Sequence, residues 1–177
     1  MSTRLVVTIA GIAGIVALAA CESATTAPAN PVYSALLNNA SEVPAIAVTA
    51  PPTVSSGKAS FTLVVTAAGR TLQYAVYDSG LTANASAAHI HVGAAGAAGP
   101  PVVPFKAIAT KNGTVSAGTI NLDVNPVMII QGGGKDTTIG SISGDSLLVL
   151  LRNGNAYVNI HNAGNPGGEV RGQVTVR

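Results

Sequence analysis

All three histidines of this chain lie in two short segments, and imidazole is the side chain best suited here to metal binding or acid–base chemistry. Residues 86–100 read SAAHIHVGAAGAAGP and hold His89 and His91, whereas residues 157–173 read YVNIHNAGNPGGEVRGQ and hold His161. Charged residues make up only 9% of the chain and aromatic residues 3%, so these segments concentrate its polar chemistry. The pattern predicts either one polar site or one shared structural motif.

Alternation places the polar residues of each segment on one face if both segments are strands. His89 and His91 then project to the same side, and Tyr157, Asn159 and His161 share a side of the second strand. Three imidazoles converge if the two strands lie close together in a sheet. Three histidines with an open coordination position are a familiar zinc site, and imidazole also suits copper.

Two acidic residues could complete such a site. Glu42 or Glu169 could add a carboxylate ligand or hold an imidazole through a hydrogen bond. A metal there would permit metal handling or redox chemistry, and a zinc-bound water would permit hydrolysis.

A purely structural role explains the same histidines. They could hydrogen-bond the backbone beneath a loop at residues 93–101, with Tyr157, Asn159 and Gln173 completing the network. Buried polar groups need partners, so such a network can hold a turn without any ligand. The spacing alone leaves both alternatives open.

Glu169 and Arg171 stand two residues apart, so on a strand they share a face. They predict either a polar ligand clamp, or ion pairing with each other or with neighbouring strands. Nucleophilic catalysis has little support, because the chain has no G-x-S-x-G motif and its only cysteine is Cys21. We therefore expect a protein that is not an enzyme.

The elements that must position these side chains are predicted to be short strands. Hydrophobic and polar residues alternate over 59–66, 72–77 and 170–176, the period of half-buried strands. Further strands are predicted at 32–38, 87–92, 102–110, 118–124, 146–151 and 156–161.

Turn signals separate these strands, and Asn112-Gly113 and Asn153-Gly154 are typical of hairpins. No long segment has helical spacing between caps, and the glycine-rich residues 125–145 indicate an excursion between two strands. We expect an all-β fold: an antiparallel, Greek-key-like β-sandwich of roughly eight or nine strands.

The amino terminus has the three parts of a secretory signal: Arg4, an uncharged apolar run at 5–20, and small residues before Cys21. The apolar run is shorter than the roughly 20 residues of a spanning helix. Leu18-Ala19-Ala20-Cys21 resembles a bacterial lipobox, which implies removal of residues 1–20 and a lipid on the Cys21 sulfur as membrane anchor. Glu22 follows, rather than the Asp that resembles an inner-membrane retention signal. We therefore expect a lipid-anchored protein of the bacterial cell envelope, on its periplasmic or cell-surface side, and the outer membrane is compatible with Glu22.

Residues 21–32 are small, polar and proline-containing, and they indicate a flexible tether. Residues 33–177 suit one domain with its own core. The formal net charge is only +2 and the basic residues are scattered, which argues against a nucleic-acid partner. The expected partners are the membrane, through Cys21, and an envelope protein or a small ligand.

Several stretches, in order along the chain, resemble the CHRD domain, a module named after chordin and found in many exported bacterial proteins. They are LNNASEVP at 37–44, GKA at 57–59, LQYAV at 72–76, GLT at 80–82, AHIHVG at 88–93, GP at 99–100, GTI at 118–120, YVNIH at 157–161 and NPGGEVRGQ at 165–173. The resemblance covers roughly residues 33–177. It implies a β-rich extracellular domain without an agreed enzymatic activity, and therefore fold and compartment more than function.

Two functions are expected from these observations. The first is a non-enzymatic, membrane-anchored binding or structural module of the cell envelope, with recognition through the loops at 93–101 and 164–168. The second is a zinc- or copper-binding envelope protein that uses His89, His91 and His161, with a redox or metal-handling role.

Overall fold

The computed structural model describes residues 30–46, 54–124, 128–131 and 138–177. The predicted signal peptide at 1–20, most of the tether and the lipidation site Cys21 lie outside the described residues. The strands are β1 (Val32–Asn38), β2 (Ser56–Thr66), β3 (Gly69–Ser79), β4 (Ala85–Val92), β5 (Pro101–Phe105), β6 (Asn112–Asn121), β7 (Met128–Gln131), β8 (Thr138–Ile142), β9 (Ala156–Asn162), β10 (Val170–Gln173) and β11 (Thr175–Val176). One α-helix, α1 (Gly144–Arg152), precedes β9, and a single 3-10 turn spans Asn39–Ser41.

Nine of these strands form one antiparallel sheet in the order β5-β4-β9-β10-β1-β2-β3-β6, with β11 pairing on β1. The strands β7 and β8 form a separate antiparallel pair. The strands β1, β2 and β3 follow one another, and β10 returns to lie beside β1, which is a Greek-key arrangement. The all-β, antiparallel prediction is confirmed.

The sheet curls around one core, so that strands distant in the sheet meet inside it. The ring of Phe105 on β5 lies 4.6 Å from that of Tyr74 on β3 and 6.3 Å from that of Phe61 on β2. The side chains of Ile90 on β4 and Ile160 on β9 are also fully buried in this core. The opposite face of β4 and β9 therefore points away from the core, and it carries their polar residues.

Most predicted strands are present, with shifted ends. The prediction at 32–38 has the observed bounds, and those at 87–92 and 156–161 lie within strands one or two residues longer. The strand predicted at 102–110 ends at Phe105, and the one predicted at 118–124 begins earlier, at Asn112, and ends at Asn121. Within residues 125–145, the expected excursion contains the β7–β8 pair.

The strand predicted at 146–151 is wrong, because these residues belong to helix α1. The hydroxyl of Ser143 accepts a hydrogen bond from the backbone N–H of Ser146 at 3.1 Å, which caps the helix amino terminus. Leu147 and Leu151, one turn apart, are fully buried in the core. A short run of consecutive apolar residues fits a buried strand or a buried helix equally, and here the cap decides.

Neither asparagine–glycine pair forms the expected hairpin. Asn112 starts β6 opposite Ser79, and its side chain accepts a hydrogen bond from the Gly80 N–H at 2.8 Å. Asn153 caps the carboxyl end of α1, and Gly154 has a φ of +65°, the left-handed conformation that ends many helices. Among the described helices, none is long and apolar enough to cross a membrane.

The packing of α1 predicts a large difference between two neighbouring substitutions. Leu151→Ala should lower the free energy of unfolding by about 2–5 kcal/mol, because Leu151 is fully buried. Val149→Ala on the exposed face, where Val149 is 52% exposed, should change it by no more than about 0.5 kcal/mol. Urea unfolding measures both, and equal losses would contradict the packing of this helix.

Candidate functional site

The polar residues of the two histidine segments share one face of the sheet, as predicted. The strands β4 and β9 are neighbours, and β10 lies on the other side of β9. Residues directly opposite in an antiparallel pair lie on the same face. Two cross-strand rows therefore run over this face, His89–Asn159–Arg171 and His91–Tyr157–Gln173.

The three histidines converge on this face. One ring nitrogen from each of His89, His91 and His161 lies within 4.8 Å of the other two. His91 and His161 are only 7% and 8% exposed, and His89 is half-buried. Among the described residues this group contains neither Glu42 nor Glu169, so neither carboxylate is placed as a ligand.

Backbone carbonyls fix the protonation of two of the imidazoles. The Nδ1 atom of His161 lies 3.1 Å from the Pro166 oxygen, and the Nδ1 atom of His91 lies 2.9 Å from the Gly99 oxygen. A carbonyl oxygen only accepts, so both Nδ1 atoms carry the proton and donate it. Both Nε2 atoms therefore keep a lone pair.

The two Nε2 lone pairs differ in their surroundings. The Nε2 atom of His161 lies 3.0 Å from Nδ1 of His89, which donates to it. The Nε2 atom of His91 is buried and has no hydrogen-bond partner. This atom is an unused buried acceptor that faces two other imidazoles, with ring centroids 5.5 Å and 5.7 Å away.

The imidazoles are neutral at pH 7. Burial, together with the neighbouring imidazoles, lowers the pKa of His89 to about 4. Burial likewise lowers the pKa of His91 to about 4, although its hydrogen bond to Gly99 opposes the shift. Burial also lowers the pKa of His161, although the Pro166 carbonyl opposes the shift. A neutral imidazole is the form that binds a metal ion, so no proton has to be removed first.

A stack of three side chains supports His91. The Tyr157 ring lies parallel to the His91 ring at 4.8 Å, and the Arg171 guanidinium carbon lies 3.4 Å from the centre of the Tyr157 ring. The Tyr157 hydroxyl donates to the Gly99 oxygen and accepts from the Gly99 N–H, both at 3.1 Å. The ring of His91 is thus fixed in both position and tautomer.

The loop over residues 93–100 covers this stack and is bound from below. Arg171 Nη2 donates to the oxygens of Ala94 and Ala97, and Gln173 Nε2 donates to the oxygen of Gly93. At Gly99 a Cβ would lie 1.6 Å from the Val92 oxygen, so a side chain there would displace the carbonyl that holds His91. Of the network predicted beneath this loop, the contacts of His91, Tyr157 and Gln173 are present. Asn159 and His161 instead bind the carbonyls of Gly167 and Pro166.

Glu42 lies at the edge of this polar layer and is 7% exposed. Its Oε2 atom accepts from the Asn159 amide at 3.3 Å, and its Oε1 atom has no partner. Burial raises the pKa of Glu42 to about 7, although the positive charge of Arg171 opposes the shift. The Asn159 Oδ1 atom is also buried without a partner.

Glu169 and Arg171 do not pair with each other, although the sequence places them side by side. Glu169 is 1% exposed, and its carboxylate accepts from the hydroxyls of Ser55 and Thr82 at 2.5 Å and 2.7 Å. The Asn162 amide donates to the same carboxylate. Burial raises the pKa of Glu169, but the hydrogen bonds together outweigh it and hold the pKa below its usual value.

These partners of Glu169 were not singled out from the sequence. Ser55, Thr82, Asn162 and Asn165 lie in or beside turns, where such residues are common for local reasons. The one signal was that Thr82 and Asn165 lie in stretches that resemble the CHRD domain. Glu169 thus ties three separated turns to the start of β10.

Comparison with known proteins gives one match. The family model of the CHRD domain matches residues 33–174. No curated protein and no solved structure matches the chain.

The Glu169 network predicts a stability effect. Glu169→Gln should lower the free energy of unfolding at pH 7 by about 2–4 kcal/mol, because an amide nitrogen then faces buried donors that need an acceptor. Asp145→Asn, at a side chain that is 75% exposed, is the matched control and should cost at most about 1 kcal/mol. If urea unfolding shows similar losses for both, the network does not stabilise the fold as described.

Proposed function

Because the chain belongs to the CHRD domain family, for which no enzymatic activity is agreed, we propose that it is a non-enzymatic binding module whose ligand is a transition metal ion. The ion is Zn²⁺ or Cu²⁺, held by His89, His91 and His161. Imidazole suits both ions, and the described cluster offers three neutral nitrogen ligands.

The observation that carries this proposal is the buried Nε2 atom of His91, which has no hydrogen-bond partner. Leaving a buried acceptor unsatisfied costs about 1–3 kcal/mol. A purely structural network would gain by supplying a donor there. A metal ion could accept this lone pair together with lone pairs from the two neighbouring imidazoles.

The surroundings of the imidazoles support the same conclusion. Metal-binding histidines typically donate their second ring N–H to a carbonyl or carboxylate, which fixes the tautomer. His91 and His161 do this through Gly99 and Pro166. In a tetrahedral site with bonds of about 2.0–2.1 Å the nitrogen atoms stand about 3.4 Å apart. Here the three ligand atoms lie within 4.8 Å of one another, so small side-chain movements would be needed to close the site.

We propose binding rather than turnover because two of the three ligands are sealed from solvent. His91 and His161 are buried, and only His89 is half-exposed. The ion would also connect the loops at 93–100 and 163–168, because its ligands His91 and His161 donate hydrogen bonds to the carbonyls of Gly99 and Pro166. Metal binding would therefore stabilise the fold, by about 2.7 kcal/mol at a hundredfold excess over the dissociation constant.

The metal proposal predicts about one zinc or copper ion per chain after loading and gel filtration. His91→Ala and His161→Ala should each lose that stoichiometry and the accompanying rise in melting temperature, because each removes a ligand. Elemental analysis by mass spectrometry on protein without a histidine tag, together with calorimetry, measures both.

The matched control is Glu169→Gln, which should destabilise the domain while keeping one metal ion per chain. This control distinguishes metal that is lost because a ligand is missing from metal that is lost because the fold is less stable. A parent protein that retains no zinc or copper after loading would overturn the proposal. Turnover of an ester by the metal-loaded protein would instead indicate a hydrolase.

We also propose that the module acts at the bacterial cell envelope, anchored through a lipid on Cys21. The support is the lipobox-like Leu18-Ala19-Ala20-Cys21 after an uncharged apolar run. One acyl chain binds membranes only marginally, whereas two or more give stable anchoring.

A lipid anchor predicts that the protein partitions into detergent. Protein expressed with its own amino terminus should enter the detergent phase of Triton X-114 and carry the mass of a diacylglycerol adduct. Cys21→Ser should stay in the aqueous phase without the adduct. Wild-type protein in the aqueous phase with a free Cys21 thiol would contradict the anchor.

A further inference from the structure

A cleft separate from the histidine cluster lies between residues 39–46 and the loop at 93–100. It has a volume of about 220 Å³, and its lining includes Ser41, Glu42, Gly96 and Arg171. Two of these residues are ionisable and almost fully buried, since Glu42 is 7% and Arg171 is 3% exposed. Such groups are rarely buried unless paired.

Arg171 has spare hydrogen-bond donors. Its hydrogen bonds to described residues all start from Nη2, which donates to the carbonyls of Ala94 and Ala97. Its Nε and Nη1 atoms make none with the described residues. Because its guanidinium also stacks on Tyr157, it is held rigidly with part of its planar donor edge unused.

Glu42 does not serve as the partner of Arg171. The two charges are near enough to influence each other, yet no ion pair forms between them within 4 Å. One carboxyl oxygen of Glu42 accepts from Asn159, and the other, Oε1, is buried without a partner. The cleft is therefore lined by a guanidinium whose remaining donors no described residue uses, and by a carboxyl group that forms no ion pair with it.

We propose that this cleft binds a small carboxylate anion. One edge of the anion accepts hydrogen bonds from the Nε and Nη1 groups of Arg171, which no described residue uses. Glu42, in its protonated and neutral form, places no negative charge beside the anion. Where Glu42 is ionised, binding is accompanied by uptake of a proton.

The donor geometry and size of the cleft favour this class of ligand. A guanidinium presents parallel N–H groups that match a planar carboxylate, whereas an ammonium acts as a point charge. The volume is below the roughly 300–1,000 Å³ of pockets for drug-sized ligands, so the occupant has few atoms. The apolar walls contributed by Ala40, Val43 and Ala95 suit a short hydrocarbon group.

The protonation of Glu42 supports this geometry. Burial raises the pKa of Glu42 to about 7, and Arg171 is the charged group that opposes the shift. The loop at 93–100 contains no ionisable side chain, and residues 39–46 contain only Glu42. Asn159 on β9 contributes an amide, and the turn at 164–168 has no ionisable group.

The test is an acetate titration of the purified protein, followed by the amide NMR signals of Ala95 and Gly96 and by calorimetry. Metal is first removed with phenanthroline, which carries no carboxylate, so that the outcome does not depend on the histidine cluster. Sodium chloride at equal ionic strength and inorganic phosphate are the reference titrations. Acetate is expected to shift both signals saturably, and to bind about tenfold or more weakly at pH 8.5 than at pH 6 as Glu42 loses its proton.

Three variants make the test specific. Arg171→Lys keeps the charge but loses the planar donors, and acetate should bind about tenfold more weakly. Glu42→Gln is neutral at every pH, so binding should persist and lose its dependence on pH. Lys58→Gln, at a cation outside the cleft, should bind as the parent does.

Several results would overturn the proposal. They are the absence of saturable shifts at Ala95 and Gly96, equal shifts from chloride or phosphate, and unchanged pH dependence in Glu42→Gln. Because Glu42→Gln is nearly isosteric, its result decides the question even if Arg171→Lys fails to fold.

Discussion

The structure depends on one constraint: a layer of polar side chains on the outer face of β4, β9 and β10 is buried, and every buried polar group needs a partner. If this face were exposed to solvent, water would satisfy its polar groups, and no loop would have to lie over them. Here residues 39–46 and the loops at 93–100 and 163–168 lie over it, and the two loops supply backbone carbonyls as acceptors. Gly99 and Pro166 hold histidines in this way, and Ala97 holds Arg171.

The same constraint explains the glycine content of the loops. A carbonyl can approach a buried side chain only where the backbone itself comes close to the sheet. At Gly99 a side chain would collide with Val92, and at Gly168, with a φ of +126°, a Cβ would lie 2.3 Å from the Asn159 amide. Glycine is the residue that permits both the approach and the left-handed backbone.

The sequence predicted the placement of the histidines because that placement follows from alternation. His89 and His91 share a face, as do Tyr157 and His161, whatever the rest of the fold does. Helix α1 was not predicted because an apolar run such as Leu147 to Leu151 is equally compatible with a buried strand and a buried helix. The carbonyls that accept hydrogen bonds from the imidazoles could not be predicted either, because every residue has a carbonyl and no side-chain pattern marks which one is used. The partners of Glu169 are far away in sequence, so only the fold brings Ser55 and Thr82 to it.

Two glutamates in this region differ in how fully their carboxyl groups are hydrogen-bonded. Glu169 has a full set of donors, and its pKa is held below the usual value. Glu42 has one donor and one unused oxygen, and burial raises its pKa to about 7.

Half of the buried side-chain atoms without a described partner lie in this one layer. Of the six buried side-chain atoms without a partner among the described residues, three belong to it: Glu42 Oε1, Asn159 Oδ1 and His91 Nε2. Each such atom costs about 1–3 kcal/mol, and an apolar residue of similar size would remove that cost. A layer selected only for stability would be satisfied throughout, as the network around Glu169 is. The proposed metal ion would give the His91 Nε2 atom a partner, and the proposed anion would lie beside Glu42, so the proposals concern the part of the layer that the described residues leave incomplete.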